Sequence, residues 1–259
     1  MTSKPIVLYT DHEINRSLCY NFAKGSKSLM CHVNNFKEFD KTIATYGYRR
    51  GTGEAIKKVK NFYYMDHGYF KQSKRMFIKN KVHKIDLNGY FRIVYNDYWH
   101  NGLGNFPSDR LDKLNIDFNY KKNNGDYIIL SEPVPEATIY YNLNNWKEKT
   151  IQEIKQFTDR KIIVHNRRSE TKLDDLLNNA WAFVSDHSSA GFKAMIEGVP
   201  AYFTNKTLSN IGSIKDIEKH EINYSVFNNL AYGQWTIEEI SSGEAWNYLI
   251  ENTNNINEN

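Results

Sequence analysis

The sequence predicts an α/β protein made of two halves, and three observations carry the prediction. Trp181 to Phe203 reads as a strand, a polar turn, a helix and a second strand. The apolar run Trp181–Val184 ends at Ser185, and small or polar residues from Asp186 to Ala190 precede Gly191 and an apolar helical stretch. Gly198 and Pro200 stop that helix, and Ala201 to Phe203 resumes strand chemistry. Near the start, the apolar strand Ile6 to Thr10 leads through Asp11-His12-Glu13 into helical spacing from Ile14 to Ala23. From Tyr127 onward strands and helices alternate cleanly, the pattern of parallel sheets covered by helices. A composition shift at Lys121-Lys122-Asn123-Asn124-Gly125-Asp126 sets the expected boundary, giving halves 1–122 and 123–259.

In the first half, Phe36 to Thr45 reads as a mixed helical segment, Tyr46 to Gly53 as a glycine-punctuated loop and Ala55 to Lys60 as a helix. Asn61 to Met65 reads as a strand ending at Asp66-His67-Gly68-Tyr69-Phe70. Residues 71 to 122 are irregular, with Phe91 to Tyr95 the best strand. In the second half, strands are expected at Tyr127–Leu130 and Lys161–Val164, a turn at Ser131–Pro135, and helices at Trp146–Thr158 and Leu173–Ala180. The segment from Asn228 to Trp246 has apolar and aromatic residues at helical spacing, with both tryptophans assigned to a core, and the Asn-rich tail after Glu251 is expected to fray.

Composition narrows the function classes. Aromatic residues make up 14% of 259 positions, with 18 Tyr, which excludes a disordered chain. The net charge of +4 is spread along the sequence, so a polyanionic partner is permitted and not demanded. Two cysteines, Cys19 and Cys31, suggest a reducing compartment without a disulfide framework. No apolar run reaches the ~20 residues of a membrane span and no secretory leader is read, so the expectation is a cytoplasmic protein without a membrane partner. Zinc spacings, an Asp-x-Asp triplet, a Walker loop and a G-x-S-x-G elbow are all missing, and no metal is expected.

Several residues are placed to carry chemistry. Unpaired amides and the helix dipole at the Ser185 turn favour an anion such as a phosphate. His187, Ser188, Ser189 and Gly191 line that turn, although a plain helix cap explains serines equally well. Arg167 and Arg168 follow the strand ending at Val164, where a guanidinium would neutralise a diphosphate if that strand end lies beside the serines. Asp66 and His67 sit at a strand end and offer a base or an orienting dipole for a hydroxyl. Asp11, His12 and Glu13 compete for the same task, and a turn with satisfied hydrogen bonds is the plainer alternative for either group. Asp11, Arg49 and Arg50 lie in polar loops suited to an acceptor or to phosphate, although a solvated charged loop explains the arginines equally well.

The segment Ser188-Ser189-Ala190-Gly191-Phe192, with Ala194, Gly198 and Pro200, resembles the donor-site block of GT-B glycosyltransferases, especially the capsule and teichoic-type polymer transferases. Lys193 departs from that pattern, standing where many relatives carry a glutamate that holds the donor ribose. The Leu230-Ala231-Tyr232-x-Gln234-Trp235 and Gly243-Glu244-Ala245-Trp246 segments also look like a group of phage and bacterial proteins of similar size. The resemblance implies two Rossmann-like halves with a cleft between them, and a terminal helix that crosses back. It also implies a metal-independent transferase with no cofactor beyond a nucleotide-diphosphate sugar as co-substrate. Arg167, Arg168, His187, Ser188, Ser189 and Gly191 would hold the donor in the C-terminal half, with Asp66 and His67 catalytic in the acceptor-binding N-terminal half.

Two acceptors remain, a hydroxymethylated pyrimidine in double-stranded phage DNA and a surface glycan of capsule type. The small size, the basic charge and the phage-like segments favour DNA, for which a base would be flipped out of the stack and could be supported by Tyr and Trp of 90–106. Lys71, Lys74, Arg75, Lys79 and Lys81 form the nearest thing to a phosphate-tracking stripe, although a solvated loop is the plainer reading of it. A noncatalytic nucleotide-sugar-binding protein is the reading that Lys193 favours.

Overall fold

In a computed structural model of the chain, residues 4–73, 75–78, 81–85, 87–120 and 124–256 are described, with backbone alone for 75–78, 81–85 and 253–256. In chain order the elements are β1 (Ile6–Tyr9), α1 (Glu13–Ser26), β2 (Met30–His32), β3 (Ile43–Tyr46), α2 (Thr52–Ile56), β4 (Phe62–His67), β5 (Arg75–Ile78), β6 (Lys81–Ile85) and β7 (Phe91–Tyr95). Next come α3 (Asp109–Asp112), β8 (Tyr127–Ser131), α4 (Pro135–Tyr140), α5 (Trp146–Ile154), β9 (Lys161–His165), α6 (Leu173–Leu177), β10 (Ala180–Ser185), α7 (Ala190–Ile196) and β11 (Ala201–Phe203). The chain ends with α8 (Ser225–Ala231), β12 (Gln234–Trp235), α9 (Ile237–Ser242) and α10 (Glu244–Ile256).

Two compact units result: Met1–Tyr98 with Tyr232–Asn259, and Trp99–Ala231. The boundary expected at 122/123 falls inside the second unit, and Lys121, Lys122 and Asn123 lie outside the described residues. The chain re-enters the first unit because β12 pairs antiparallel with β7, while Trp235, Trp246 and Leu249 join its core.

The first unit carries a sheet of order β12-β7-β4-β3-β1-β2, in which β2, β1, β3 and β4 are mutually parallel. Its strands are apolar on both faces. Val7, Ala44, Tyr63 and Met65 pack with α1 and α10, whereas Leu8, Ile43 and Tyr64 pack with Phe36, Ala55 and Ile56, as the two-residue strand period requires. In α1 the residues Ile14, Leu18, Cys19 and Phe22 recur at helical spacing and are fully or almost fully buried. The second unit carries an all-parallel sheet of order β11-β10-β8-β9. Ile128, Leu130, Ala182 and Val184 meet Trp146, Ile154, Tyr202 and Ile217 on one face, and Ile129 and Phe183, of opposite parity, are buried as well. Both units are therefore Rossmann-like α/β assemblies, the fold class the sequence implied.

Three local expectations change. Ile43–Tyr46 is a strand rather than the end of a helical segment, since the β-branched Ile43 and Thr45 are inserted between β1 and β4 with ladders on both sides. Residues 228 to 235 divide between α8 and the edge strand β12. The Asn-rich tail is helical to Ile256.

Candidate active site

In the second unit, β8 connects onward to β9 on one side, and the chain then returns past β8 to β10 on the other. Ligands in open α/β sheets bind at such a reversal, outside the carboxyl ends of the strands, here those of β8 and β10. The strand ends are in register: Phe203 pairs with Ser185, Ser185 with Ser131, and Ser131 with His165. The next residue on each strand is polar, so Thr204, Asp186, Glu132 and Asn166 form one row along the carboxyl edge.

The row is hydrogen-bonded in two pairs. The hydroxyl of Thr204 donates to Asp186 Oδ1 (2.8 Å) and accepts from the indole N–H of Trp146 (2.7 Å). Asp186 is 5% exposed, and its Oδ2 bonds Nδ1 of the adjacent His187. That bond fixes the imidazole with its proton on Nδ1 and turns Nε2 away from the carboxylate. The ring is flanked by Tyr141 (4.5 Å between centroids) and Trp99 (5.9 Å). In the other pair, Asn166 Nδ2 donates to Glu132 Oε2 (3.0 Å) and Lys147 Nζ lies 3.1 Å from Oε1. The amide of Asn166 leads in holding the Glu132 carboxyl below its usual range, against some desolvation and with Lys147 assisting.

The serine turn is internally bonded. Ser188 N–H donates to Ser185 Oγ (3.2 Å), Ala190 N–H to Ser188 Oγ (3.2 Å), Gly191 N–H to Ser188 O (3.0 Å) and Phe192 N–H to Ser189 O (3.2 Å). These bonds use the amides of Ser188, Ala190, Gly191 and Phe192. Ser189 makes no side-chain capping bond. Gly191 is buried, and an added Cβ would stand 2.6 Å from the Phe203 ring, so this glycine permits α7 to lie against β11. Arg167 and Arg168 are exposed at the end of β9. Because β8 intervenes, β9 is two strand spacings, about 10 Å, from β10, and the arginines do not follow a strand adjacent to the serines. Lys193 is paired with Asp174 of α6.

In the first unit the same reversal occurs between β1 and β3. Buried Asn15 joins their ends, its Oδ1 accepting from Thr10 N–H (2.7 Å) and its Nδ2 donating to Tyr46 O (2.7 Å). Asp11 follows β1, with its side chain 91% exposed and 3.6 Å from His32. Arg49 and Arg50 are exposed in the loop after β3, which turns through positive φ at Gly47, Arg50 and Gly51. Asp66 and His67 end the neighbouring strand β4, so Asp11, Arg49, Arg50, Asp66 and His67 share one carboxyl edge.

Asp66 is a fixed acceptor. Its Oδ2 accepts from Tyr64 OH (2.8 Å) and lies 3.3 Å from Arg92 Nη2, while Oδ1 accepts from His67 N–H (2.8 Å). Burial pushes the carboxyl up, but Arg92, His67 and the two hydrogen-bond donors outweigh it and hold it below the usual range. Arg92 is almost fully buried and also donates to His67 O (2.5 Å) and Tyr98 O (3.0 Å), which locks the end of β4. The His67 ring stacks on Phe91 and its Nδ1 is 3.0 Å from Ser73 Oγ. Asp186, Glu132, Thr204, Asn166, Asn15 and Arg92 were not singled out from sequence. Thr204, Asp186, Glu132 and Asn166 come together only through strand pairing distant in the chain, Arg92 meets Asp66 across the β4/β7 pair, and Asn15 reaches Tyr46 from α1. Only the polar residue directly after each strand is a readable signal.

Four of the aromatics in the segment expected to support a flipped base are buried or lie against other rings. Phe91 and Trp99 are buried, Tyr95 lies on Tyr63, and Tyr98 lies on Tyr64 and Phe62. Of the basic stripe, Lys74 and Lys79 lie outside the described residues, and Arg75 and Lys81 are described by backbone alone. Among the described residues no three His, Cys, Asp or Glu side chains gather as a metal site needs, and no helix is long and apolar enough to cross a membrane.

No known family profile matches the chain, and no curated protein does. Among solved structures, similarity extends to a Thermosulfurimonas dismutans protein described as KpsC, beta Kdo 2,4 transferase, at 10% identity and a TM-score of 0.48 over 89% of this chain and 90% of that one. A second, described as Thermosulfurimonas dismutans KpsC, beta Kdo 2,7 transferase, aligns at 11% identity and a TM-score of 0.48, covering 93% and 98%.

Proposed function

We propose that the chain is a nucleotide-sugar-dependent glycosyltransferase of GT-B type, with a glycan hydroxyl of a capsule-type surface polysaccharide as acceptor. The observation that carries this reading is the polar row at the β8/β10 reversal, with a buried Asp186 hydrogen-bonded to His187 at the carboxyl ends of the strands, where α/β sheets take nucleotides. In the reaction the acceptor oxygen bonds the anomeric carbon as the bond from that carbon to the donor phosphate breaks. The nucleotide leaves with the bonding electrons. His187, as an imidazolium stabilised by Asp186 on Nδ1, donates through Nε2 to the departing phosphate oxygen. The hydroxyls of Ser188 and Ser189 add donors, and Arg167 and Arg168 belong to the same edge. In the first unit Asp66, ionised and 25% exposed at its side chain, accepts from the acceptor hydroxyl, with His67 beside it. No metal takes part.

The glycan is preferred to DNA because Tyr95, Tyr98 and Trp99, among the residues on which the DNA expectation leaned, pack against other rings or are buried. The test is thermal shift with nucleoside diphosphate and nucleoside monophosphate sugars, followed by mass analysis of capsule-type oligosaccharides and of hydroxymethylcytosine DNA incubated with each donor that binds. Stabilisation by one donor class and a mass gain on the oligosaccharide is the expected result, unchanged by a chelator. A gain on DNA instead would reassign the acceptor, and no stabilisation by any donor would remove the transferase reading.

A further inference from the structure

A cavity of about 170 Å³ opens at the end of β8, lined by Glu132, Pro133, Thr138, Leu143, Trp146 and Lys147, among others. Its size is that of one ring: a cavity of roughly 150 Å³ takes a single benzene. The chain builds it deliberately, since Asn142 and Asn145 adopt positive φ between α4 and α5 and so bring Trp146 and Lys147 over the strand end. One wall is apolar, from Leu143 and Trp146, and the other carries a carboxylate and an ammonium.

Glu132 is the organised group of this pocket. Asn166 is itself fixed, its Oδ1 accepting from Arg168 N–H (2.9 Å), and so presents its amide N–H to Glu132. A carboxylate has about four acceptor positions, and Asn166 and Lys147 each use one, leaving acceptor capacity on both oxygens. Asn166 and Lys147 keep the group ionised, an acceptor without a proton of its own. A rigid double acceptor, a neighbouring ammonium donor and an apolar wall, in a space for one ring, is a site for vicinal hydroxyls on a saturated ring.

We propose that this pocket binds a polyhydroxylated sugar ring, with adjacent ring hydroxyls donating to Glu132. Under the glycosyltransferase reading, on which this identification of the source rests, the ring belongs to the donor, either its ribose or the sugar to be transferred. The role is distinct from that of the serine turn and supplies a carboxylate in a donor half where position 193 is a lysine already paired with Asp174.

The test uses the full-length protein with Glu132→Gln, and with Thr138→Phe to fill the cavity, each checked for an unchanged melting profile. Titrations compare a nucleotide-sugar, its free nucleotide and the 2′,3′-dideoxy nucleotide, and saturation-transfer NMR probes free monosaccharides. Transferred-sugar occupancy predicts a ~10-fold or larger loss of nucleotide-sugar affinity in both variants with the free nucleotide unchanged. Ribose occupancy predicts the same loss for the free nucleotide, and no further loss for the dideoxy analogue. If wild type binds these ligands and neither variant weakens any of them, the sugar pocket is overturned while the transferase reading stands. If no nucleotide binds but monosaccharides give a signal that Thr138→Phe abolishes, the pocket stands and the transferase reading falls. Absence of both signals overturns both.

Discussion

At the residue scale, the account rests on charged and polar groups whose positions are fixed by buried partners. Asp186→Asn keeps the shape of the side chain but removes the charge that stabilises a protonated His187. Turnover is expected to fall ~10²–10³-fold, with donor binding less affected. Comparing kcat and KM for wild type, Asp186→Asn and His187→Gln checks this. Asp66 gives a stability prediction with a definite sign. Its carboxyl is held below the usual range in the folded protein, so its contribution is fully present above ~pH 4 and is lost as pH falls through the folded value. The stability gap between wild type and Asp66→Asn should be widest near neutrality and close in acid, as urea titrations at several pH values will report. Arg92→Ala leaves Asp66 without its buried cation and should cost about 3 kcal/mol at neutral pH. The Asp66-His67 strand end and the Ser185–Ser189 turn were legible in sequence, because each is a polar break after a local apolar run. The row of Thr204, Asp186, Glu132 and Asn166 was not, because it exists only once β11, β10, β8 and β9 are in register.

At the element scale, β10, α7 and β11 form a unit whose spacing is set by one glycine. Gly191→Ala pushes a methyl into the Phe203 ring and should destabilise by about 1–3 kcal/mol, with Phe203→Leu in the same chain recovering part of the loss in a denaturant melt. A loss of nucleotide binding in Gly191→Ala without any stability change would instead make this position a ligand contact. The helix α9 is closed by a capping box, in which Thr236 accepts from Glu239 N–H and Glu239 returns the bond to Thr236 N–H. Thr236→Ala should cost about 1 kcal/mol by the same melt. Elements with strong local periodicity, such as α1 and β10, were readable from spacing alone. The strand β3 was not: Ile43-Ala44-Thr45-Tyr46 is too short to declare itself, and its state comes from β1 and β4 on either side.

At the scale of the whole molecule, the chain builds one unit from both its ends and inserts the other. The sequence marked two α/β halves through their alternation, yet it set their boundary at a local Lys/Asn/Gly run. The true division depends on the return of Trp235 and Trp246 to the core around Phe22 and Tyr63, a contact across most of the chain. The central claim is that a nucleotide-activated sugar binds at the carboxyl ends of β8 and β10. Hydrogen exchange of the full-length protein with and without a stabilising donor tests it most directly. The account predicts slowed exchange at 131–134 and 185–190, with the amino ends of the same strands unchanged. Donor binding that leaves both segments unprotected would contradict it.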